Sequence, residues 1–194
     1  GHDEAFLRLL AHHAEPHRRY HNAVHIMWVL RHVDRLLRDS PESAIDGDSV
    51  RLAALYHDAV YDPRSSTNEA DSARLAEQMA RSLGWHEQRC RRVAELVTLT
   101  AHHHLGEVDG AADAAVLLDA DLAVLGDEPA VYQAYVNGVR AEYAHVSDAE
   151  WQHGRSGVLH ALLARDRLFH TSTMRDEREH RARANLAAEL AGLG

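Results

Sequence analysis

The sequence predicts a single all-α domain over residues 1–194, and three observations lead to that prediction. Apolar residues recur at three- and four-residue steps along most of the chain, which is the spacing of one helix face. No segment alternates apolar and polar residues as a half-buried strand does, and no repeat or low-complexity linker divides the chain. A length of 194 residues is that of about one domain, and it suffices to bury a core without disulfides.

Two helices are predicted near the start of the chain. The opening helix spans about residues 3–14 and ends near Pro16. Asn22 is a candidate N-cap for the second helix, because its side-chain oxygen can accept a hydrogen bond from the first turn. Apolar residues then follow at helical steps, namely Ile26, Val29, Leu30, Val33 and Leu37. Pro41 marks the break after this helix.

The next pair of helices is separated by a polar loop. Ser49 starts a short apolar helix that runs from Val50 to about Ala59. The segment 61–67 contains a proline and a run of hydroxyl residues, so we expect a loop there. Asn68 is predicted to cap the following helix, which ends near Gly84 because glycine readily adopts the left-handed conformation that terminates helices.

Two further helices precede the last third of the chain. One runs from about His86 to His103, and a polar turn over residues 105–112 follows it. The other spans about residues 113–125 and stops at Gly126. The interval between them is short, so we expect these helices to be neighbours in space.

The last third is predicted to be helical as well. Pro129 fits the first turn of a helix, where its missing N–H is no loss. Ser147 with Glu150 forms the pattern of a capping box at the start of the next helix. A final charged helix covers about residues 174–190.

Composition limits the classes of partner. The net charge is −9, which argues against a surface for nucleic-acid polymers, although a local arginine pocket could still hold a single nucleotide. No segment approaches the roughly 20 apolar residues of a membrane span, and no signal-peptide pattern opens the chain. A single cysteine, Cys90, excludes an internal disulfide and fits a reducing compartment, so we expect a cytoplasmic protein.

All 21 residues counted as lysine or arginine are arginine. The absence of lysine has chemical consequences, because Schiff-base catalysis, covalent pyridoxal attachment and a Walker-A phosphate loop all require a lysine. These mechanisms are therefore excluded.

Two histidines and two aspartates form a candidate metal-binding set: His25, His57, Asp58 and Asp121. Imidazole nitrogen and carboxylate oxygen suit one divalent transition metal such as Mn, Fe, Co, Ni or Zn. A set of four such ligands leaves coordination positions for water and substrate, as a catalytic site requires. Asp119 competes with Asp121 for the last position, since both lie in the same apolar helix.

An ordered series of motifs surrounds this set. Its parts are Tyr20-His21-Asn22-x-x-His25, His57-Asp58-x-Val60-Tyr61-Asp62-Pro63, Asn68-Glu69-x-x-Ser72 and Leu118-Asp119-Ala120-Asp121. The series resembles the HD superfamily of metal-dependent phosphohydrolases. Within it, the chain is similar to a compact bacterial branch described as predicted metal-dependent HD phosphohydrolases.

The resemblance implies more than the residues alone do. It implies a single HD-type helical bundle, with a metal-site core over about residues 20–126 and C-terminal helices over about 128–190 packing on it. It also favours Asp121 over Asp119 as the metal ligand. The natural substrate is not implied by the match.

The leading functional hypothesis is a phosphohydrolase that acts on a small phosphorylated molecule, for which a nucleotide is one candidate. Asp58 and Glu69 are the candidate catalytic residues, and Glu69 could equally be an acid that stabilises a helix N-terminus. Arg18 and Arg140 are candidate substrate contacts, because arginines offset phosphate charge. His21 is a further candidate, because it lies one helical turn before His25.

Two other hypotheses stay open. A di-iron HD oxygenase would require a second metal held by the run His102–His104, whereas the simplest role for that run is a solvated helix end. A non-catalytic regulator would bind a nucleotide or metabolite without turnover. HD proteins with two metals typically use two further histidines between the HD pair and the final aspartate. Here that interval contains only His86, which resembles a surface residue at a helix start, and the run His102–His104, so we favour one metal. Apolar stripes on the terminal helices would permit a homodimer without demanding one.

Overall fold

The computed structural model describes residues 2–40, 45–105 and 111–193. Within these ranges every regular element is helical, which confirms the predicted all-α fold. The predicted break at Pro41 and residues 106–110 of the predicted turn lie outside the described residues. The chain forms two compact units, Gly1–Asp121 and Leu122–Gly194. The single domain and the packing of C-terminal helices on a core stay predictions.

The first unit contains six helices within its described residues: α1 His2–His13, α2 Ala23–Asp39, α3 Gly47–Tyr56, α4 Asn68–Ser82, α5 Glu87–Leu99 and α6 Ala111–Asp121. Helix α3 lies at the centre, because it packs against α2, α4, α5 and α6. Its residues Val50, Ala53 and Ala54 are fully buried, together with Val33 of α2 and Leu96 of α5. This apolar core fixes the helix ends that carry the site.

Helix α2 begins as the sequence predicts. The side chain of Asn22 accepts a hydrogen bond from the backbone N–H of Val24, so Asn22 is the N-cap. This cap places His25 within the first turn of α2. The buried face of the helix includes Ile26, Val29, Val33 and Leu36.

Helix α3 is shifted towards the N-terminus compared with the prediction. Asp46 caps it by accepting a hydrogen bond from Ser49 N–H, and the helix ends at Tyr56 instead of near Ala59. His57 is the C-cap, and the N–H of Ala59 donates to the carbonyl of Tyr56 in a turn. His57 and Asp58 therefore lie where the helix ends, and not inside it.

The N-cap of helix α4 differs from the predicted one, whereas the end of the helix agrees with the prediction. Thr67 occupies the N-cap position, while the amide of Asn68 pairs with the backbone of Asp62 as donor and as acceptor. Asn68 thus holds the preceding loop closed. Gly84 has φ of 76°, the left-handed conformation expected of a residue that terminates a helix.

The second unit begins with a 3-10 helix, Leu122–Gly126, where the prediction had continued an α-helix. It continues with α7 Pro129–Glu142, α8 Asp148–Leu163, α9 Ser172–Met174, a π-helical turn Arg175–Glu179 and α10 His180–Leu193. The final predicted helix is therefore interrupted by the π-helical turn. Pro129 in the first turn of α7 and the capping box of Ser147 with Glu150 are confirmed.

A buried polar group ties three helices of the second unit together. The guanidinium of Arg155 on α8 donates to both carboxylate oxygens of Glu189 on α10, at 2.7 and 3.0 Å. The hydroxyls of Tyr132 and Tyr135 on α7 contact the same pair. Since both charged side chains are less than one-tenth exposed, each needs its partner.

Helix α1 presents an apolar stripe to solvent in this chain. Phe6, Leu7 and Leu10 are 47, 64 and 42% exposed. The homodimer that such a stripe would permit stays a prediction. None of the described helices has the length and apolar character that crossing a membrane requires.

Candidate metal centre

Three segments of the first unit bring the candidate ligands together. His25 lies in the first turn of α2, His57 and Asp58 lie at the end of α3, and Asp121 is the last residue of α6. Because α3 packs against both α2 and α6, the ends of these helices converge. The structure therefore gathers the four side chains that the sequence singled out.

The facing atoms of these side chains lie very close to one another. The two imidazole Nε2 atoms of His25 and His57 are 3.1 Å apart. Asp58 Oδ2 is 3.4 Å from Nε2 of His25 and 3.1 Å from that of His57. Asp121 Oδ1 is 3.2 and 3.4 Å from the same two nitrogens.

This spacing fits the coordination shell of one ion. Imidazole and carboxylate ligands sit about 2.0–2.2 Å from a transition metal, so neighbouring ligand atoms are separated by roughly 3.0–3.5 Å. His25, His57 and Asp58 form a metal-compatible group with ligand atoms mutually within 4.8 Å. That group does not include Asp121, but Asp121 Oδ1 lies 3.2 and 3.4 Å from the two histidine nitrogens, where it can serve as a further ligand. The donor set of nitrogen and oxygen suits Mn, Fe, Co, Ni or Zn.

The ring of His57 is oriented for metal binding by its backbone contact. Its Nδ1 lies 2.9 Å from the carbonyl of Ala54, where a ring N–H donates to the oxygen. In the neutral ring this bond places the proton on Nδ1, which leaves the lone pair of Nε2 directed at the cluster. The same contact satisfies a carbonyl near the C-terminal end of α3.

Burial is uneven across the cluster. The side chains of His25 and His57 are 3 and 1% exposed, whereas those of Asp58 and Asp121 are 18 and 13% exposed. The histidines therefore form the inner wall, and the carboxylates lie on the side that solvent reaches. A small ligand would approach from that side.

The electrostatics of the cluster keep both carboxylates ionised. Burial raises the pKa of Asp58 and of Asp121, but the imidazoles of His57 and His25 outweigh it and hold each pKa well below its usual range. Burial lowers the pKa of the two histidines, yet the carboxylates outweigh it and raise the pKa of His25 and, more strongly, of His57. Such mutual dependence is expected of groups arranged around a site for a cation.

His103 contacts the other oxygen of Asp121. Its Nε2 donates to Asp121 Oδ2 at 2.7 Å, so Oδ1 is left to face His25 and His57. His103 has φ of 50°, a left-handed conformation that a histidine adopts only at an energetic cost. A strained residue that is held in place by a contact with the cluster points to a functional constraint. Its neighbours His102 and His104 are exposed.

Arg18, a predicted phosphate contact, lies in the segment between α1 and α2 with its side chain directed into the protein. Its side chain is 0% exposed, and its guanidinium donates to the backbone carbonyls of His21, Asp58 and Ala59. Since these donors point into the backbone and away from solvent, the position favours a structural role over a substrate contact.

His21 lies beside the cluster. Its ring centroid is 5.7 Å from that of His25 and 4.3 Å from that of Tyr61, on which it stacks. Tyr20 contacts His25 from another side, with ring centroids 4.8 Å apart. These aromatic rings hold the segment before α2 against the turn that follows α3.

Glu69 lies in the first turn of α4 and is partly exposed. Ser72, one turn later on the same face, is fully buried and its hydroxyl accepts from the N–H of Val60 at 3.0 Å. Through this contact the face of α4 that carries Glu69 is held against the turn that carries Asp58. The sequence marked Ser72 as part of a motif without indicating this role.

Arg140 belongs to the second unit. Its guanidinium donates to the carbonyl of Tyr143 at 2.8 Å and to the carboxylate of Asp148 at 2.6 Å. These bonds join the end of α7 to the start of α8. The contact of Arg140 with a substrate stays a prediction.

The fold and the cluster define a class of protein before any comparison. An all-α unit that gathers two histidines and two aspartates at converging helix ends has the ligand types and the spacing of a metal site that solvent can reach. Comparison with known families agrees, since the model of the HD domain matches residues 22–130, more than half of the 194 residues. The chain belongs to the HD domain family.

The matched region contains all four residues of the cluster. Members of this family are typically metal-dependent hydrolases. No curated protein and no solved structure matches the chain. The narrower bacterial branch stays a prediction.

Proposed function

We propose that this protein is a metal-dependent phosphohydrolase that cleaves a phosphoester of a small molecule, with His25, His57, Asp58 and Asp121 holding one divalent transition metal. One observation carries the proposal above all. The Nε2 atoms of the two histidines are 3.1 Å apart, and one carboxylate oxygen of each aspartate lies 3.1–3.4 Å from both of these nitrogens, at the junction of α2, α3 and α6. Membership of the HD family supports the hydrolytic chemistry.

A bound divalent ion would supply Lewis acidity, which lowers the pKa of a coordinated water towards neutrality and polarises a phosphoryl oxygen. The protein supplies orientation. The Ala54 carbonyl fixes the ring of His57, and His103 fixes the carboxylate of Asp121. Such contacts hold ligands in a geometry that needs little rearrangement when the reaction occurs.

Asp58 and Glu69 are the residues that we assign to proton transfer. The carboxylate of Asp58 is ionised and lies on the solvent side of the cluster, where it can accept a hydrogen bond from an attacking water. Glu69 is held on the face of α4 that Ser72 fixes against the same turn. A carboxylate near the attacked group can receive or return a proton.

His21 is the proposed substrate contact nearest to the cluster, because its ring lies next to that of His25 and its stacking on Tyr61 fixes its plane. A histidine can donate a hydrogen bond to a phosphate oxygen in either protonation state. The substrate class therefore stays a small phosphorylated molecule, with a nucleotide as one candidate.

The proposal is tested by hydrolysis assays on metal-free and metal-loaded protein. A panel of phosphomonoesters and nucleotides is supplied with Mn²⁺, Fe²⁺, Co²⁺, Ni²⁺ or Zn²⁺, and released phosphate is measured. We expect turnover of at least one substrate, which a chelator abolishes and the added ion restores. Asp121→Asn should lose it, whereas Asp166→Asn, an exposed change in the second unit, should keep it.

Two results would contradict the proposal. Turnover by the chelator-treated wild type, equal to that of the loaded protein, would show that no metal is needed. Loaded protein without activity on any phosphoester would favour a binding protein, and tight binding of a nucleotide without turnover would identify it as a regulator.

A further inference from the structure

Arg18 combines complete burial with a position outside any helix. It lies in the segment between α1 and α2, and its side chain is 0% exposed. A buried guanidinium is unfavourable unless its N–H groups are paired, because each lost hydrogen bond to water must be replaced. The partners of Arg18 therefore indicate what it stabilises.

The partners are one carboxylate and three backbone carbonyls. Nε donates to Glu15 Oε2 at 3.0 Å. One terminal nitrogen donates to the carbonyl of His21 at 3.0 Å and to that of Asp58 at 2.7 Å, and the other donates to the carbonyl of Ala59 at 3.0 Å. The guanidinium thus joins two segments that are distant in the chain. Asp58 and Ala59 lie 40 and 41 residues after Arg18, whereas His21 lies in the same segment as Arg18.

Both joined segments carry metal-ligand candidates. His21 lies on the turn that leads into α2, one helical turn before His25. Asp58 is itself a candidate ligand, and Ala59 follows it on the same turn. Because Arg18 contacts backbone atoms, the side chains of His25 and Asp58 stay directed at each other, with their facing atoms 3.4 Å apart.

We propose that Arg18 is a positioning residue that sets the register of the α2 and α3 ligand segments and thereby determines the metal affinity of the site. This inference rests on the metal site of the proposed function and does not depend on the phosphoester chemistry. It assigns Arg18 a role through the backbone of the ligand segments, with no contact to ion or substrate.

Arginine is the residue that this role requires. Its planar fork offers five N–H donors at fixed angles, so it can bond carbonyls from two segments at once. Lysine has three donors on one nitrogen and cannot span the same set of acceptors. Two of the carbonyls lie just beyond the C-terminus of α3, where a positive charge is favoured. Glu15 offsets the positive charge that Arg18 places near the metal site.

The test is metal affinity in matched variants. Co²⁺ is titrated into metal-free wild type, Arg18→Met and Arg18→Lys, and the dissociation constant is read from the visible absorption of the bound ion. Removal of groups that orient ligands typically weakens binding by about 10–100-fold, which is the effect expected for Arg18→Met. Arg18→Lys keeps the charge but not the fork, so we expect a loss of at least about 5-fold.

Arg155→Met is the matched control. Arg155 is also a buried arginine with a carboxylate partner, but its bonds lie within the second unit. Its removal should lower the melting temperature as much as Arg18→Met does while leaving the Co²⁺ dissociation constant within about 2-fold of the wild type. All titrations are made at a temperature at which circular dichroism shows each variant folded.

The outcomes separate this inference from the proposed function. A dissociation constant of Arg18→Lys within 2-fold of the wild type overturns the inference, whether or not Arg18→Met folds. An equal loss of affinity in Arg155→Met also overturns it, since the effect is then global. Wild type that binds Co²⁺ but cleaves no phosphoester overturns the proposed function alone, and the same affinities still decide the role of Arg18. Wild type that binds no metal overturns both.

Discussion

At the scale of single residues, the site depends on hydrogen bonds that orient the side chains of His57 and Asp121. The hydrogen bond from Nδ1 of His57 to the Ala54 carbonyl orients the lone pair of Nε2. The hydrogen bond from His103 to Oδ2 of Asp121 orients the Oδ1 atom. Neither bond touches the position where an ion would lie. Their removal should therefore change affinity more than it changes the fold.

His103→Asn tests this account at its most unusual residue. Asparagine tolerates the left-handed backbone conformation, with φ of 50°, but its shorter side chain cannot reach Asp121 in the same way. We expect metal affinity to fall by about 10-fold with little change in melting temperature. Isothermal titration with His104→Asn as the exposed control measures the difference.

Metal stoichiometry from the same titration distinguishes the di-iron hypothesis. If His103 ligates a second ion, the wild type binds two ions per chain and His103→Asn binds one. One ion in both proteins, with weaker binding in the variant, supports the orienting role. Unchanged affinity and stoichiometry would contradict both assignments.

The sequence predicted the residues of the site better than their surroundings. His25, His57 and Asp58 could be selected because they stand in an ordered series of motifs that resembles the HD superfamily, and the structure gathers them. Arg18 could not be placed in this way, because an arginine serves a phosphate or a backbone carbonyl equally well. Its partners lie 40 and 41 residues away, beyond any local pattern.

At the scale of elements, helix ends decide the geometry of the site. Asn22, Ser147 with Glu150, and Gly84 were predictable, because capping is a local interaction between residues close in sequence. The end of α3 was predicted too late, because no glycine or proline stands close after Tyr56 to mark it. The π-helical turn Arg175–Glu179 contains no glycine or proline that would indicate an interruption of the helix.

Helix α1 is attached to the end of α3 through a histidine that stays neutral. The Nε2 atom of His13 lies 3.2 Å from the carbonyl of Leu55, and burial lowers the pKa of His13 to about 4. In the unfolded chain this pKa is near 6.5. As the pH falls below about 6.5 the unfolded state binds the proton first, so the free energy of unfolding decreases until about pH 4.

The expected decrease that is due to His13 is roughly 3 kcal/mol between pH 6.5 and pH 4, and it is negligible well above pH 6.5. Urea unfolding of the wild type and of His13→Gln at a series of pH values measures it, because glutamine can still donate to the Leu55 carbonyl but does not titrate. Other histidines contribute equally to both proteins. If the free energy of unfolding of the two proteins fell in parallel between pH 6.5 and 4, the buried, neutral state of His13 would be contradicted.

Gly126 allows a close approach within the second unit. A Cβ atom there would lie 2.5 Å from Cβ of Arg178 and 2.8 Å from its carbonyl oxygen, so backbone would have to move. We expect Gly126→Ala to lower the free energy of unfolding by about 1–3 kcal/mol. Gly157→Ala, where no atom lies within 4 Å of the new Cβ, should raise it by up to about 1 kcal/mol, since alanine is the better helix former. Denaturant unfolding measures both changes. If the free energy of unfolding changed in the same direction in both variants, this packing would be contradicted.

At the scale of the whole molecule, metal binding and stability are coupled. An ion that binds only the folded protein raises its free energy of unfolding, by about 2.7 kcal/mol when the free ion is at 100 times the dissociation constant. Removal of one acidic ligand abolishes the gain. All four side chains of the cluster belong to the compact unit Gly1–Asp121, so the bound ion would stabilise that unit.

Thermal unfolding measures this coupling. The wild type is heated with excess chelator and with added metal, in parallel with Asp121→Asn. We expect the ion to raise the melting temperature of the wild type and to leave that of the variant unchanged. An equal shift in both proteins would place the binding elsewhere in the chain.

The fold class was predictable for reasons that apply to the entire chain. Helical periodicity repeats in nearly every segment, so errors in single boundaries do not change the all-α result. The division at Asp121 and Leu122 was not evident, because the apolar pattern continues through it. A boundary between compact units depends on contacts between residues that are distant in the sequence. No short stretch of sequence shows such contacts.

The central claim is that His25, His57, Asp58 and Asp121 together hold one divalent transition metal. The most direct test is elemental analysis of metal content per chain, for the wild type and for Asp58→Ala, after purification without added metal and again after reconstitution. Our account predicts about one ion per wild-type chain and its loss in the variant. No ion in the reconstituted wild type, or an equal content in Asp58→Ala, would contradict it.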